Sequence, residues 1–355
     1  KQIKSDKISL NDINFFPVGI YGFFRDCFDR IFGSSQGNSD LYKEVKPLLE
    51  FMCITPKSVD EDFLCEVLGY DKYRLREILI KLSGLFPIKN KCIEPLHKSL
   101  IDWLTDESDV SHIYYIEKIC GYKTLYNYYK KKYDNHEYIS DKGILESFGN
   151  VLIELNKKDE LYALLNDYDF QMAKIKYLFF DSGLESYIDE ITWLYDPNDN
   201  EKCLNIFKGE VFKTIFSNYR RILYNSGLFF NLKEIGLSVA LKTEGEWNLE
   251  GEIGKVFYYY IVENFERAIS KAKALITKNE EIKSQPALLA EVLNVKGLSQ
   301  RKIVEFDDAL ESFDEAIEYA KTAIEDEYIG DSDPSFEITL KKWVIVIEKY
   351  LILSF

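Results

Sequence analysis

From Asp199 to the C-terminus, apolar residues recur at helical spacing, and no alternating strand pattern is present. The clearest stretch is "LLAEVLNVKGLSQRKIVEFDDALESFDEAIEYAKTA", which reads as two helices. Gly297 has no side chain and would let these helices approach closely, with Ala309, Phe313 and Ala316 on the facing surface. Because this half of the chain offers only helical faces to bury, we expect a mainly α fold.

Two earlier stretches have the pattern of further helix pairs. "NYRRILYNSGLFFNLKEIGLSVAL" turns around Gly227, and "KVFYYYIVENFERAISKAKALI" places Phe265, Ala268 and Ala272 at related spacing. Together with the clearest pair they resemble degenerate tetratricopeptide repeats, although Gln300 occupies the position where that family has tyrosine. The resemblance implies an α-solenoid whose concave face recognises a protein ligand.

The overall charge restricts the choice of partner. The formal net charge is −15, which disfavours nucleic acid and anionic membranes as general partners. The six cysteines show no disulfide spacing, which is typical of a reducing compartment, so we expect a cytoplasmic protein. The strongly apolar ending "WVIVIEKYLILSF" is interrupted by Glu348 and Lys349, and we expect a packed helix there rather than a membrane span. The first residue is Lys rather than Met, so we expect the chain to be part of a longer polypeptide.

The segment from Leu41 to Asp106 has the pattern of a winged helix. After a first helix, "SVDEDFLCEVLGY" predicts a short helix with Ser58 and Glu61 as a capping box and with its end at Gly69. A third helix follows from an N-cap at Asp71. "LFPIKNKCIEPLH" predicts a β-hairpin that turns at Asn90-Lys91, and "KSLIDWLTD" predicts a last helix.

DNA binding is the alternative that this pattern raises. The third helix carries the basic residues Lys72, Arg74, Arg76 and Lys81. Between Leu41 and Leu104, however, 10 basic residues stand against 10 acidic ones, whereas DNA-binding domains usually have a basic excess. We therefore predict that nucleic acid is not the partner of this segment.

The order "FFPVGIYGFFRDCFDRIF", winged helix, "LHKSLIDWLTD" and "DELYALLNDYDFQMAKIKYLFFDSGLESYIDEI" resembles the region after the nucleotide-binding core of NACHT-type STAND NTPases. In that family a winged-helix histidine contacts the phosphates of bound ADP and holds the resting state closed. The resemblance places this role on His97, within Leu96-His97-Lys98, where the family motif is Met-His-Asp. It also implies ADP or ATP bound by an upstream domain, homo-oligomerisation on activation and, for some members, antiviral defence.

An imidazole N–H can donate to a phosphate oxygen, and unpaired amides in the first turn of a helix favour anions. We expect Leu96, Leu100 and Trp103 to anchor this junction by apolar contacts. The alternative for His97 is a structural histidine that bonds a backbone carbonyl at the helix start.

The sequence indicates no catalytic or metal-binding residues. Around Gly254-Lys255, "EGEIGKV" lacks the first glycine and the hydroxyl of a phosphate loop and reads as a turn, so we expect this chain not to hydrolyse ATP. His112 and His136 have no ligand partners at metal-binding spacing. The Tyr- and Lys-rich stretch from His112 to Tyr133 has a composition found in RNA-binding proteins, but helix packing explains it better.

We therefore predict four parts. They are the end of a nucleotide-binding module (1–35), a winged helix (36–118), a helical connector (119–198) and a tetratricopeptide-like solenoid (199–355). The predicted function is the regulatory and sensor portion of a STAND NTPase. The alternatives are a free-standing helical-repeat scaffold and a winged-helix transcription regulator with a repeat sensor.

Overall fold

A computed structural model confirms the expectation of a mainly α fold. It describes residues 19–33, 39–55, 58–178, 180–199, 201–218 and 247–327, together with positions 228, 232 and 237. The chain divides into two compact units, Lys1–Lys157 and Lys158–Phe355. The division falls inside the predicted connector 119–198, and the four predicted ranges stay predictions.

The described part of the first unit consists of seven α-helices and three short strands. The helices are α1 (Gly19–Phe32), α2 (Asp40–Ile54), α3 (Glu61–Leu68), α4 (Lys72–Leu82), α5 (Lys98–Leu104), α6 (Lys118–Asp134) and α7 (Lys142–Glu154). The strands are β1 (Val59–Asp60), β2 (Ile88–Lys89) and β3 (Cys92–Ile93).

The three strands form an antiparallel sheet in the order β1-β3-β2. Ile93 pairs with Val59 on one side and with Ile88 on the other. The turn between β2 and β3 has Asn90 at φ 52° and Lys91 at φ 65°, so both central residues are left-handed, as in a type I′ hairpin turn. The predicted hairpin is thus confirmed, whereas the third strand, β1, was not predicted.

The start of α3 differs from the prediction. The capping box at Ser58 is wrong, because Val59 and Asp60 are extended and pair with β3. The N-cap is Asp60, whose carboxylate accepts the backbone N–H groups of Asp62 and Phe63. The predicted helix end at Gly69, in the left-handed region, and the predicted N-cap at Asp71 are both confirmed.

An aromatic cluster fills the core where α1, α2 and α5 meet. The ring of Phe28 lies 5.1 Å from Trp103 and 5.0 Å from Tyr114, and Tyr114 lies 5.4 Å from Tyr42. The Tyr114 hydroxyl donates to Asp29 at 2.7 Å, which satisfies the one polar group of that buried ring. These contacts fix the position of the short helix α5 against α1.

The described part of the second unit contains ten α-helices. They are α8 (Lys158–Leu165), α9 (Tyr168–Tyr177), α10 (Phe180–Leu194), α11 (Glu201–Lys208), α12 (Glu210–Asn218), α13 (Leu249–Ile261), α14 (Phe265–Lys278), α15 (Glu280–Lys283), α16 (Pro286–Lys302) and α17 (Phe306–Glu327). Helices α13, α14, α16 and α17 pack against their neighbours in chain order. The predicted pair around Gly227 lies outside the described residues, apart from its first residue, Asn218, and three single positions, and the helix predicted at Trp343–Phe355 lies wholly outside them.

The predicted helix pair around Gly297 is confirmed as α16 and α17. A Cβ atom built on Gly297 would lie 2.7 Å from the ring of Phe313 and 3.1 Å from the carbonyl oxygen of Ala309. At the position where the tetratricopeptide family has tyrosine, the buried Gln300 accepts a hydrogen bond from Ser312 at 2.7 Å. A polar bond therefore joins the two helices beside the glycine contact.

Gly297→Ala should destabilise the second unit. The added methyl group would overlap the Phe313 ring, and such overpacking costs about 1–3 kcal/mol. Thermal unfolding followed by circular dichroism measures the effect. The control is Gly84→Ala, where the added Cβ would meet nothing within 4 Å and stability should change by less than about 0.5 kcal/mol. Equal effects of the two substitutions would contradict the close approach.

Candidate functional site

His97 immediately precedes α5 and acts as its N-cap. Its backbone is extended, with φ −154° and ψ 146°, and its side chain is exposed to solvent. The ring atom Nδ1 accepts the backbone N–H of Ser99 at 3.1 Å and lies 2.7 Å from the Ser99 hydroxyl oxygen. The histidine therefore bonds a backbone amide, not a carbonyl as the structural alternative expected.

The bonds at Nδ1 decide which ring atom is available to a ligand. Because Nδ1 accepts the Ser99 amide, the neutral imidazole carries its hydrogen on Nε2. Within the described chain, Nε2 has no hydrogen-bond partner. An exposed Nε2–H group is a hydrogen-bond donor that an anion such as phosphate can accept.

The backbone on both sides of His97 is held in place. The amide of Leu96 donates to the carbonyl oxygen of Leu85 at 2.7 Å, and Leu100 and Trp103 are buried. The predicted apolar anchoring is confirmed for Leu100 and Trp103 but wrong for Leu96, whose side chain is 54% exposed. Leu96 is thus fixed through its backbone rather than through its side chain.

The first turn of α5 offers less to an anion than the sequence suggested. The amide of Ser99 is occupied by the His97 ring itself, and α5 has only seven residues. Lys98, where the family motif has an acidic residue, is exposed. The Nε2 atom of His97 is therefore the group at this position that is suited to contact a ligand.

Helix α4 is the helix that would contact DNA in a DNA-binding protein of this pattern. Most of its basic side chains form ion pairs. Arg74 donates to Glu44 at 2.5 Å and to Glu77 at 2.6 Å. The hydrogen bond from Arg74 lowers the pKa of the Glu44 carboxyl, so Glu44 is ionised at neutral pH. The cation that could face a phosphate is already neutralised within the protein.

Two more basic residues of α4 have partners on α3. Arg76 donates to Glu61 at 3.3 Å, and Lys72 pairs with Asp62. The hydrogen bond from Lys72 lowers the pKa of Asp62 and so favours the charged pair. Of the four basic residues on α4, the described chain leaves only Lys81 without an ion pair.

The outward surface of α4 is also partly apolar. Tyr73 is 81% exposed and Ile80 is 69% exposed, one on each side of the charged turn in the middle of the helix. A phosphate backbone offers no partner for such side chains. These side chains therefore add nothing to the attraction of a phosphate backbone.

The other two histidines contact neighbouring groups of the protein. The ring of His112 is buried and stacked on Trp103, with its Nε2 atom 3.1 Å from the Trp103 carbonyl and its Nδ1 atom accepting the Tyr114 amide at 3.2 Å. His136 has a left-handed backbone beside Tyr138. Over the residues that the structure describes, no group of three or more His, Cys, Asp and Glu residues could hold a metal ion.

The six cysteines are free thiols, and burial affects the pKa of five of them. Burial raises the pKa of Cys53 to about 12 and that of Cys203 to about 11, and it also raises the pKa values of Cys27, Cys65 and Cys120. A raised pKa reduces the thiolate fraction, and the thiolate is the nucleophile. These five thiols are therefore poorly suited to nucleophilic catalysis at neutral pH.

The stretch around Gly254-Lys255 is helical. The turn predicted there is wrong, because "EGEIGKV" lies within α13 and its backbone amides serve the helix. Gly254 packs against Phe216, and the buried ammonium group of Lys255 pairs with Glu252 at 2.6 Å and lies 5.1 Å from the Trp247 ring centroid. A phosphate loop needs free amides and a free lysine, which this helix does not supply.

No protein-family model, curated protein or solved structure matches this chain significantly. No helix within the described residues is both long and apolar enough to cross a membrane.

The sequence singled out His97 and the four basic residues of α4 as candidate contact residues. It did not show which groups they bond to in the folded chain. Glu44 precedes Arg74 by 30 residues, and Glu61 precedes Arg76 by 15. The equal number of acidic and basic residues was the one signal of this pairing. Nothing in the sequence indicated which ring nitrogen of His97 would remain available to a ligand, because this depends on the geometry of the N-cap.

We predict that the chain binds duplex DNA more weakly than about 1 µM at physiological salt, because the α4 cations are paired and the chain is acidic. The triple substitution Glu44→Gln, Glu61→Gln and Asp62→Asn frees those cations and should tighten binding by about tenfold or more. Fluorescence anisotropy titrations at several salt concentrations measure both affinities.

The matched control removes the same amount of negative charge from α17, through Glu311→Gln, Asp314→Asn and Glu315→Gln. It should change DNA affinity much less than the α4 triple substitution. Submicromolar binding by the unmodified chain would contradict the prediction, and equal effects of the two triples would show that net charge alone is responsible.

Proposed function

We propose that this chain is the regulatory and sensor portion of a STAND NTPase of the NACHT type. The first support is the order of elements in the first unit. Helices α2, α3 and α4 are followed by the hairpin β2–β3, and β1 joins the same sheet from its position between α2 and α3. This arrangement matches a winged helix whose wing is the β2–β3 hairpin.

The observation that carries the proposal is the state of His97. The ring is fixed at the start of α5 through Nδ1 and presents an exposed Nε2–H. In the proposed resting state this group donates to a phosphate oxygen of ADP, which is held by an upstream nucleotide-binding domain. The contact stabilises the closed arrangement only while the nucleotide is bound.

The helices of the second unit have the proposed role of sensor. Helices α13, α14, α16 and α17 form successive packed pairs, as expected for a tetratricopeptide-like solenoid. Such helices recognise a protein ligand, for example a phage protein in antiviral defence, and recognition releases the resting state for homo-oligomerisation in the cytoplasm. The paired cations and exposed Tyr73 of α4 weigh against the alternative of a transcription regulator.

We predict that His97→Asn in the full-length protein weakens ADP binding about ten- to hundredfold. Losing one hydrogen bond to a charged group removes roughly 1.5–3 kcal/mol. Asparagine is a good N-cap, so the Ser99 amide keeps an acceptor and the melting temperature should not change. Isothermal titration of ADP and thermal unfolding are the paired measurements.

His97→Ala is the companion variant, because it removes both the cap and the Nε2 donor. It should lose ADP affinity to the same extent and, in addition, about 1 kcal/mol of stability. If His97→Asn keeps normal ADP affinity and only His97→Ala is less stable, the histidine is an N-cap alone and the proposed switch is wrong.

The 355-residue chain alone should not hydrolyse ATP, since the Gly254-Lys255 stretch is helical and Lys255 is buried. Phosphate release is measured for the purified chain, a mock preparation and a Lys255→Ala variant. Turnover that exceeds the mock preparation and disappears in the variant would contradict this prediction.

A further inference from the structure

The turn between α16 and α17 contains a valine in a backbone conformation that disfavours it. Val304 has φ 70°, in the left-handed region. The amide of Glu305 donates to the carbonyl of Gln300 at 3.0 Å, and that of Val304 donates to the carbonyl of Arg301 at 3.2 Å. This is a Schellman motif with Val304 at the position where glycine is strongly preferred.

In the described part of the chain, two other turns have the same hydrogen bonds but a different residue at this position. Asn156 after α7 has φ 53°, and Glu263 after α13 has φ 59°. Asparagine tolerates the left-handed region, and glutamate is not branched at Cβ. A β-branched residue there is an outlier, so Val304 is the strained member of the three turns.

Within the described residues, the strain at Val304 is not offset by packing. Its side chain is 68% exposed, and the neighbouring Phe306, the first residue of α17, is 61% exposed. Two apolar side chains therefore project from the tip of this helical hairpin. Exposed apolar groups in a strained turn are a feature of binding sites, where a partner covers them.

The base of the hairpin is closely packed. Ala309, Phe313 and Ile317 form a buried cluster with Leu298, and Gly297 lies directly against the Phe313 ring. This packing constrains the direction in which the apolar tip projects before any partner binds. Less conformational entropy is then lost on binding.

Acidic side chains surround the tip on the α17 side. Glu305, Asp307, Asp308 and Glu311 are exposed, and none has an ion-pair partner within the described residues. Asp307 and Asp308 stabilise the N-terminus of α17, but Glu305 and Glu311 lie outside that first turn. Lys302 is the exposed basic residue on the α16 side.

Further along α17 the exposed surface continues acidic through Asp314, Glu315 and Glu318, and Lys321 pairs with Glu318 at 3.4 Å. Carboxylates without partners complement lysine and arginine on another protein. A second copy of this chain is a poor candidate, since its net charge is −15.

We propose that Val304 and Phe306 are a docking tip that inserts into an apolar groove of a partner protein whose rim carries lysine or arginine. The proposal deepens the sensor role proposed above and rests on it, since it gives the chemistry of the protein that the repeats recognise. Val304 and Phe306 supply the buried apolar contact, and the α17 carboxylates pair with the basic residues on the rim of the groove.

The first arm of the test measures stability. Val304→Gly relieves the left-handed strain and should raise the melting temperature of the 355-residue chain by about 2 °C. Glu263→Gly is the matched control in the equivalent turn and should change the melting temperature by less. A lower melting temperature for Val304→Gly would mean that the valine serves the fold, and the proposal would be wrong.

The second arm measures binding to a defined probe, a fluorescent amphipathic helical peptide with leucine and phenylalanine on one face and lysine on the other. The unmodified chain should bind it, and raising the salt concentration should weaken binding. Val304→Gly combined with Phe306→Ser should weaken it at least about tenfold. Glu263→Gly should bind as the unmodified chain does.

A second peptide, with glutamate in place of each lysine, should not bind. Absence of binding by the lysine peptide, equal affinity of the tip variant and the unmodified chain, or equal affinity for both peptides would each overturn the proposal. No nucleotide is present in either arm. Failure of this proposal is therefore distinguishable from failure of the ADP contact at His97.

Discussion

The packing of Trp103 against the aromatic rings of α1 is the contact on which the first unit depends. The Trp103 ring lies 5.1 Å from Phe28 and 5.9 Å from Phe24, and His112 stacks on it at 5.1 Å. Helix α5 has only seven residues and is too short to be stable by itself. Its position, and with it the position of His97, is therefore set by this aromatic cluster rather than by the helix.

Ion pairing changes what α4 can do. A helix with four basic residues would attract a phosphate backbone if those charges were free. Three of the four are held by Glu44, Glu61 and Asp62, of which Glu61 has a buried side chain and the other two do not. The pairs formed by Glu44 and Asp62 contribute little to stability, so their main effect is on the electrostatic surface. Tyr73 and Ile80 add exposed apolar side chains to the same helix.

In the helical hairpin α16–α17, two residues occupy positions whose backbone conformation is unfavourable for them. Gly297 occupies a helix interior, where glycine is unfavourable, because the Phe313 ring leaves no room for a side chain. Val304 occupies a left-handed turn, where glycine is favourable, and exposes its side chain. The first departure is explained by packing inside the chain. The second has no compensation among the residues that the structure describes.

The sequence by itself determined the helical class, the hairpin at Asn90-Lys91, the helix end at Gly69 and the close approach at Gly297, because each depends on local backbone preference or on one neighbouring helix. Only the tertiary structure decided the features that need distant partners. Strand β1 displaced the predicted cap from Ser58 to Asp60, since β3 pairs with Val59 from 34 residues along the chain. The pairing of Arg74 with Glu44 and the exposure of Leu96 likewise depend on where the folded chain places other groups.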